Sequence, residues 1–178
     1  ALSRRHAEIL IVFSHQAVNR KKCMLNNDVL RSVRYTLNMS DNALLALLRA
    51  VAPELDLATL RGYLAGEDDA FFVPMNDELL AGFLDNLIVL RRGPAPGPAP
   101  ATALPLTNNT VLKKLRVAFN LHEADLIDIF ASVESRVARP ELSALFRKES
   151  SSNYRACGDQ LLRQFLKGLA LRFRAEAG

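Results

Sequence analysis

Cys157 and His122 have the residue types for covalent catalysis, a thiolate nucleophile and a base to activate it. His122, with Glu123 and Asp125, is also the group of metal-ligand types around the one histidine of the body. Three such neighbours on one turn are too thin a set for a metal centre, which needs three or four converging ligands. The remaining histidines, His6 and His15, lie in a basic N-terminal stretch. There is no HExxH, no paired CxxC, and no glycine-rich loop to cradle phosphate; the glycines are scattered singly. Two cysteines, Cys23 and Cys157, cannot build a disulfide framework. The acids mostly fall at the surface phase of amphipathic helices. These absences predict no catalytic site, no bound metal and no cofactor.

The elements that carry these residues come in two copies. Sliding the chain by 82 residues lays 26–92 on 108–174 without a gap, with 17 of 67 pairs identical. Asn26-Asn27 falls on Asn108-Asn109, and Asp77-Glu78-Leu79-Leu80 falls on Asp159-Gln160-Leu161-Leu162. Cys157 falls on Met75, an apolar position, which makes it a buried inert thiol rather than a nucleophile. Four polar positions repeat: Arg34 and Arg116, Asn38 and Asn120, Glu67 and Glu149, Asp77 and Asp159. They have two readings, a binding site present twice or a structural pair present twice. A helix cap plus a charge-assisted hydrogen bond explains the residue types, so the expectation is that Asp77 caps a helix and pairs with Arg34, and that Asp159 pairs with Arg116.

Each copy reads as four helices. The first starts near Asn27, taken as its cap, and buries Leu30, Val33 and Leu37. The second follows Ser40 and buries Leu44, Leu45, Leu48 and Val51. The third runs from about Leu57 to Ala65 and stops at Gly66. The fourth runs from Asp77 to Arg92, buries Leu80, Phe83, Leu84 and Leu87, and ends at Gly93. No segment alternates at period two, so the fold class is all-α: two tandem four-helix units. The organisation is a basic extension over 1–23, repeat 1 over 24–93, a linker over 94–107 and repeat 2 over 108–174. Alternating prolines from Pro94 to Pro100 forbid helix and favour an extended spacer. Units this small bury only about 60% of their unfolded surface, so they are expected to pack on each other or on a second chain. The linker is long enough for the repeats to pack within one chain or to swap between chains, so its length sets no oligomeric state.

Charge narrows the partners. The chain carries +4, all of it in residues 1–23; residues 24–178 hold 18 basic and 18 acidic side chains. The body therefore has no long-range field to steer polyanions. The second and third helices of each copy loosely resemble a helix-turn-helix, but 40–69 carries −4 and 122–151 carries −2, which phosphates would repel. Positive charge gathers in repeat 2, at Lys113, Lys114 and Arg116 on its first helix and at Arg163, Lys167, Arg172 and Arg174 on its fourth. If those helices are neighbours they form one basic face, the first place to look for an acidic partner. The favoured function is a non-enzymatic module that binds a protein the sequence does not name. The alternative is a nucleic-acid binder using Lys113, Lys114, Arg116, Arg163 and Lys167. No apolar run approaches the roughly 20 residues of a membrane span. Few cysteines and no export signal fit the cytoplasm.

The strings from Met24 to Tyr35, from Asn108 to Phe119 and from Cys157 to Arg163 resemble the YehS-like family, uncharacterised bacterial proteins built from a tandem domain of unknown function (DUF1456). The resemblance spans 24–174 and implies a bacterial cytoplasmic protein, with no catalytic or ligand-binding residue to carry over.

That pattern begins at Met24, where the charge also breaks, so residues 1–23 are expected to be upstream sequence or a poorly packed appendage. The rival reading is a targeting peptide, arginine-rich and nearly free of acid. A chain beginning at Met24 is expected to melt within about 2 °C of the full chain; a fall of about 10 °C, several kcal/mol at this size, would show that the extension packs.

Overall fold

The structure, a computed structural model, describes residues 24–97 and 101–176. The basic extension lies outside the described residues. Eight helices and no strand occur among those described: α1 Asn26–Thr36, α2 Asp41–Arg49, α3 Leu57–Leu64, α4 Asp77–Arg92, α5 Asn108–Ala118, α6 Glu123–Ala131, α7 Arg139–Leu145 and α8 Asp159–Glu176. The first four and the last four are the two copies, so the fold is an all-α tandem repeat.

Local chemistry sets most of the helix ends. Ser40, Asp56, Asn76 and Thr107 are N-caps, their side chains accepting from the amides of Ala43, Thr59, Leu79 and Thr110. The hydrogen bonds from Thr59 hold the Asp56 carboxyl below its usual range. At the far ends of α1 and α5, Asn38 and Asn120 take left-handed φ values of 48° and 53°. That turn lets Met39 N–H reach the Arg34 carbonyl and Leu121 N–H reach the Arg116 carbonyl, closing each helix. The repeated asparagines at 38 and 120 are therefore stop residues. Val51, expected in the core, is 39% exposed; it sits past the end of α2 and lies over Gly82, which has no side chain to bury it.

Two of the expected caps do other work. Asn27 lies inside the first turn of α1 and is 1% exposed. Its Nδ2 donates to the Tyr63 and Val73 carbonyls, and its Oδ1 accepts from Met75 N–H. Asn109 repeats the arrangement with Leu145, Arg155 and Cys157. Each side chain thus ties the first helix of its copy to both ends of the loop between the third and fourth, satisfying backbone groups that no helix can serve.

Asp77 is not the cap of α4 either; that is Asn76. The Asp77 carboxylate accepts from Asn26 Nδ2 at 2.8 Å and from Leu106 N–H, in the linker, at 2.8 Å. Asp159 accepts from Asn108 Nδ2 at 2.8 Å and from Met24 N–H at 3.0 Å. The expected pairs Arg34–Asp77 and Arg116–Asp159 do not form. Arg34 pairs with Asp41 at 2.6 Å. Arg116 donates to the Leu121 carbonyl and lies 4.6 Å over the Phe146 ring. Both arginines sit near the C-terminal ends of their helices and turn to the following segment, whereas the aspartates stand at the N-terminal ends. Sequence repetition showed that the four residues are retained, not that they meet.

The repeats pack by exchange. α1 of repeat 1 lies on α8 of repeat 2, and α4 of repeat 1 lies on α5 of repeat 2. Contacts at both ends show each pair to be parallel: Met24 meets Asp159 at the start, and Arg174 donates to the Tyr35 carbonyl at the finish. Likewise Leu106 meets Asp77, and Arg91 donates to the Ala118 carbonyl. Arginines from each fourth helix thereby serve the carbonyl end of the other repeat's first helix, where cations are favoured. Leu30, Val33, Leu80, Phe83, Leu112, Leu115, Leu162 and Phe165 are fully buried in one cluster shared by both repeats.

Asn27→Ala is expected to lower stability by about 3 kcal/mol, because it strands a buried amide and two carbonyls at about 1–3 kcal/mol per group. The readout is a melting temperature about 6–12 °C lower with an unchanged helical spectrum below the transition. A loss near zero would mean that water replaces the side chain.

Candidate functional site

Where α1 and α8 run side by side they leave a surface groove of about 980 Å³. α1 presents Asp28, Arg31, Ser32 and Tyr35 to it, and α8 presents Arg163, Leu166, Lys167, Ala170, Leu171 and Arg174. Spacings of three and four put each set on one face of its helix. Met24, Leu166, Ala170, Leu171 and Tyr35 make an apolar floor and wall. Tyr35 is 56% exposed and Leu171 52%, unusual for large apolar residues that lie together. Arg31, Arg163, Lys167 and Arg174 stand around them, with Asp28 the single acid of the lining.

Part of the rim is held in place. Arg31 binds Asp28 and the Ala65 carbonyl. The Arg174 guanidinium lies 3.9 Å over the Tyr35 ring and donates to the Tyr35 carbonyl. Lys167 is exposed, and no acid among the described residues lies within ion-pair distance of it.

The pseudo-equivalent groove, between α4 and α5, is built differently. Asp85 stands there at the place of Lys167, and Lys114 at the place of Ser32. The two form an ion pair across the repeats, and Thr102 of the linker donates to the same Asp85 carboxylate at 3.3 Å. The second groove is thus bridged by its own charges and flanked by its own linker. In the first, Lys167 replaces the acid and Ser32 the lysine, so that ion pair has no counterpart.

The five cations singled out from sequence do not form one basic face. Lys114 is committed to Asp85 and Arg116 to Phe146 and Leu121. Lys113 lines a small separate cleft with Arg147, Lys148 and Glu149. Arg163 and Lys167 alone belong to the α1/α8 groove. The alternation of helices between repeats splits the group, since the groove partner of α8 is α1 and not α5. For the same reason the sequence does not single out Arg31, Tyr35 and Leu171. Their signal was present: Tyr35 and Leu171 are apolar residues beyond the core stripe of their helices, beside bases one turn away.

The candidate chemistry is engaged elsewhere. Glu123 pairs with Arg139 at 3.6 Å and Asp125 with Arg172 at 2.6 Å. Bonds from the His122 amide and from Arg172 hold the Asp125 carboxyl below its usual range. Among the described residues no three His, Cys, Asp or Glu side chains converge as a metal site would require. Cys157 is buried, as its alignment with Met75 implied, and burial, with Asp159 nearby, pushes its thiol up to about 11. No helix among the described residues is long and apolar enough to cross a membrane.

Two copies of one helical unit, interlocked through their first and fourth helices, define the class: an all-helical tandem-repeat protein. The profile described as "Protein of unknown function (DUF1456)" matches residues 26–93 and again residues 108–175, and the chain belongs to that family. It is 40% identical over 156 residues to "Uncharacterized protein YehS" of Escherichia coli (strain K12), covering 87% of this chain and 100% of that protein. No solved structure matches the chain.

With Cys23 replaced by serine, Cys157 of the folded protein is expected to alkylate at pH 8 at least about 100-fold more slowly than an ordinary thiol, because its thiolate fraction is lower by about two pH units. Urea should restore the normal rate. The raised thiol pKa also means that stability present below pH 9.0 is lost as pH rises toward about 11. Fast labelling under native conditions would show that the thiol is not buried.

Proposed function

We propose that this protein is a non-enzymatic, cytoplasmic interaction module that holds an acidic, apolar segment of a protein in the α1/α8 groove. The observation that carries this reading is the charge reversal between the two grooves, Lys167 for Asp85, around an apolar floor left at the surface. The exposed Lys167, with no acid among the described residues in reach, favours an acidic ligand, while Tyr35 and Leu171 favour one that also brings apolar side chains. From Arg163 to Arg174 the α8 wall is about 16 Å long, room for about three turns of an amphipathic helix or a compact loop.

Nucleic acid is the second class of ligand with the right charge, and salt separates the two. Phosphate binding weakens steeply with salt, because releasing counterions into a more concentrated solution gains less, whereas apolar docking changes little. A labelled amphipathic peptide with leucines at helical spacing flanked by glutamates, and a labelled single-stranded oligonucleotide, are the two probes in fluorescence anisotropy. The peptide is expected to bind, to lose at least about tenfold affinity on Leu171→Glu, about 1.4 kcal/mol, and to keep most of its affinity at high salt. Oligonucleotide binding with a steep salt slope, or peptide binding indifferent to Leu171→Glu, would overturn the assignment.

A further inference from the structure

The chain carries a second surface feature with the opposite character. Between α3 and α4 the loop runs Glu67-Asp68-Asp69-Ala70-Phe71-Phe72-Val73. Phe71 is 81% exposed, more than any other large apolar residue described. The loop holding it is internally braced. Asp69 N–H donates to the Gly66 carbonyl, Phe72 N–H to the Asp69 carbonyl, and Val73 N–H to the Gly62 carbonyl. The Asp69 carboxylate accepts from Phe71 N–H at 2.9 Å, and Asn27 holds the Val73 carbonyl at 2.8 Å. An aromatic side chain flanked by three acids is therefore presented on a pre-formed backbone, the arrangement that loses least entropy on binding.

The repeats have diverged in a matched way. In repeat 2 the positions of Asp68, Asp69 and Phe71 are taken by Ser150, Ser151 and Asn153, so this knob exists once. The groove with an unmatched lysine also exists once, between α1 and α8, because Asp85 and Lys114 bridge its pseudo-equivalent. Each chain thus has one acidic aromatic knob and one apolar groove with a basic rim.

We propose that the occupant of the α1/α8 groove is the Glu67–Val73 loop of a second copy of this chain, with Phe71 on the Tyr35–Leu171 floor and Asp68 facing Lys167. Reciprocal exchange gives a closed twofold pair, the arrangement most soluble homo-oligomers adopt. Phe71 is the anchor, an aromatic side chain moving from water to an apolar seat, and the charges set the orientation. The inference rests on the groove reading above and names its partner.

Sedimentation velocity of the full chain over a concentration series tests it. The wild type is expected to shift from monomer to dimer, with Phe71→Ala and Lys167→Glu each weakening association at least about tenfold. Neither side chain is buried, so folding should be unaffected, which the helical spectrum and melting temperature check. Asp68→Lys alone should also weaken association, and Asp68→Lys with Lys167→Glu in one chain should recover most of it, because the ion pair is restored with its sign reversed. A wild type that stays monomeric up to about 1 mM, association indifferent to Phe71→Ala and Lys167→Glu, or no recovery in the swapped chain each overturns the proposal. If the chain is monomeric yet still binds the acidic peptide through Leu171, the groove belongs to another protein: the self-association falls and the interaction module stands. If the peptide does not bind to such a monomer either, both readings fall.

Discussion

A closed ring of hydrogen bonds holds the two repeats in one arrangement. Asp77 takes Asn26 from its own repeat and the Leu106 amide from the approach to the other; Asp159 takes Asn108 and the Met24 amide. Following the chain from Asn26 back to Met24, and from Asn108 back to Leu106, returns to the start. Both carboxylates stand at helix N-termini, where the backbone dipole favours negative charge. Each bond joins an ionised acceptor to a neutral donor, the stronger class of hydrogen bond. The ring fixes which helix ends meet, and so makes α1 run parallel to α8 and α4 parallel to α5. An apolar interface alone tolerates sliding; the two directional bonds that cross it, from Met24 to Asp159 and from Leu106 to Asp77, do not.

The exchange of helices follows from that register and explains the single core. A 67-residue helical unit has too little interior to stand well alone, but the first and fourth helices of each copy are apolar enough to be covered by those of the other. Close approach inside each copy is arranged in more than one way. Gly168 lets α8 lie against α6, where an added Cβ would meet the Ile129 carbonyl at 2.3 Å. At the same place in repeat 1, Asn86 instead donates to the Leu47 carbonyl at 3.1 Å. The backbone geometry is shared while the side-chain solution differs, so identity between the copies is modest although their architecture is common.

Symmetry also identifies the groove. In a molecule of two like halves, features kept in both belong first to folding: the asparagine ties, the aspartate ring, the left-handed stops at Asn38 and Asn120. Features that one half has and the other lacks are free to serve something else. The ion pair Asp85–Lys114 on one side and the Ser32–Lys167 combination on the other are such a difference. The acidic loop with Phe71, opposite the serine-rich loop of repeat 2, is another.

The helices, their order and the repeat were legible in the sequence because they rest on local physics. Apolar spacing of three and four, the start after Ser40 and the stop at Gly93 act within a few residues of themselves, whereas the expected stop at Gly66 is taken by Ala65. The burial of Cys157 was legible too, because its counterpart Met75 marks the position as apolar. What Asn27 and Asp77 do was not, because an asparagine or aspartate in the first turn of a helix looks like a cap in any sequence. Its actual partners lie 29 to 51 residues away in the chain. Arg34 and Arg116 misled for the same reason, since shared retention gives no distances. The groove was decided wholly in three dimensions. Its walls come from α1 and α8, at opposite ends of the chain, and only the exchange of helices between repeats brings Tyr35 beside Leu171 and separates Lys167 from Lys114.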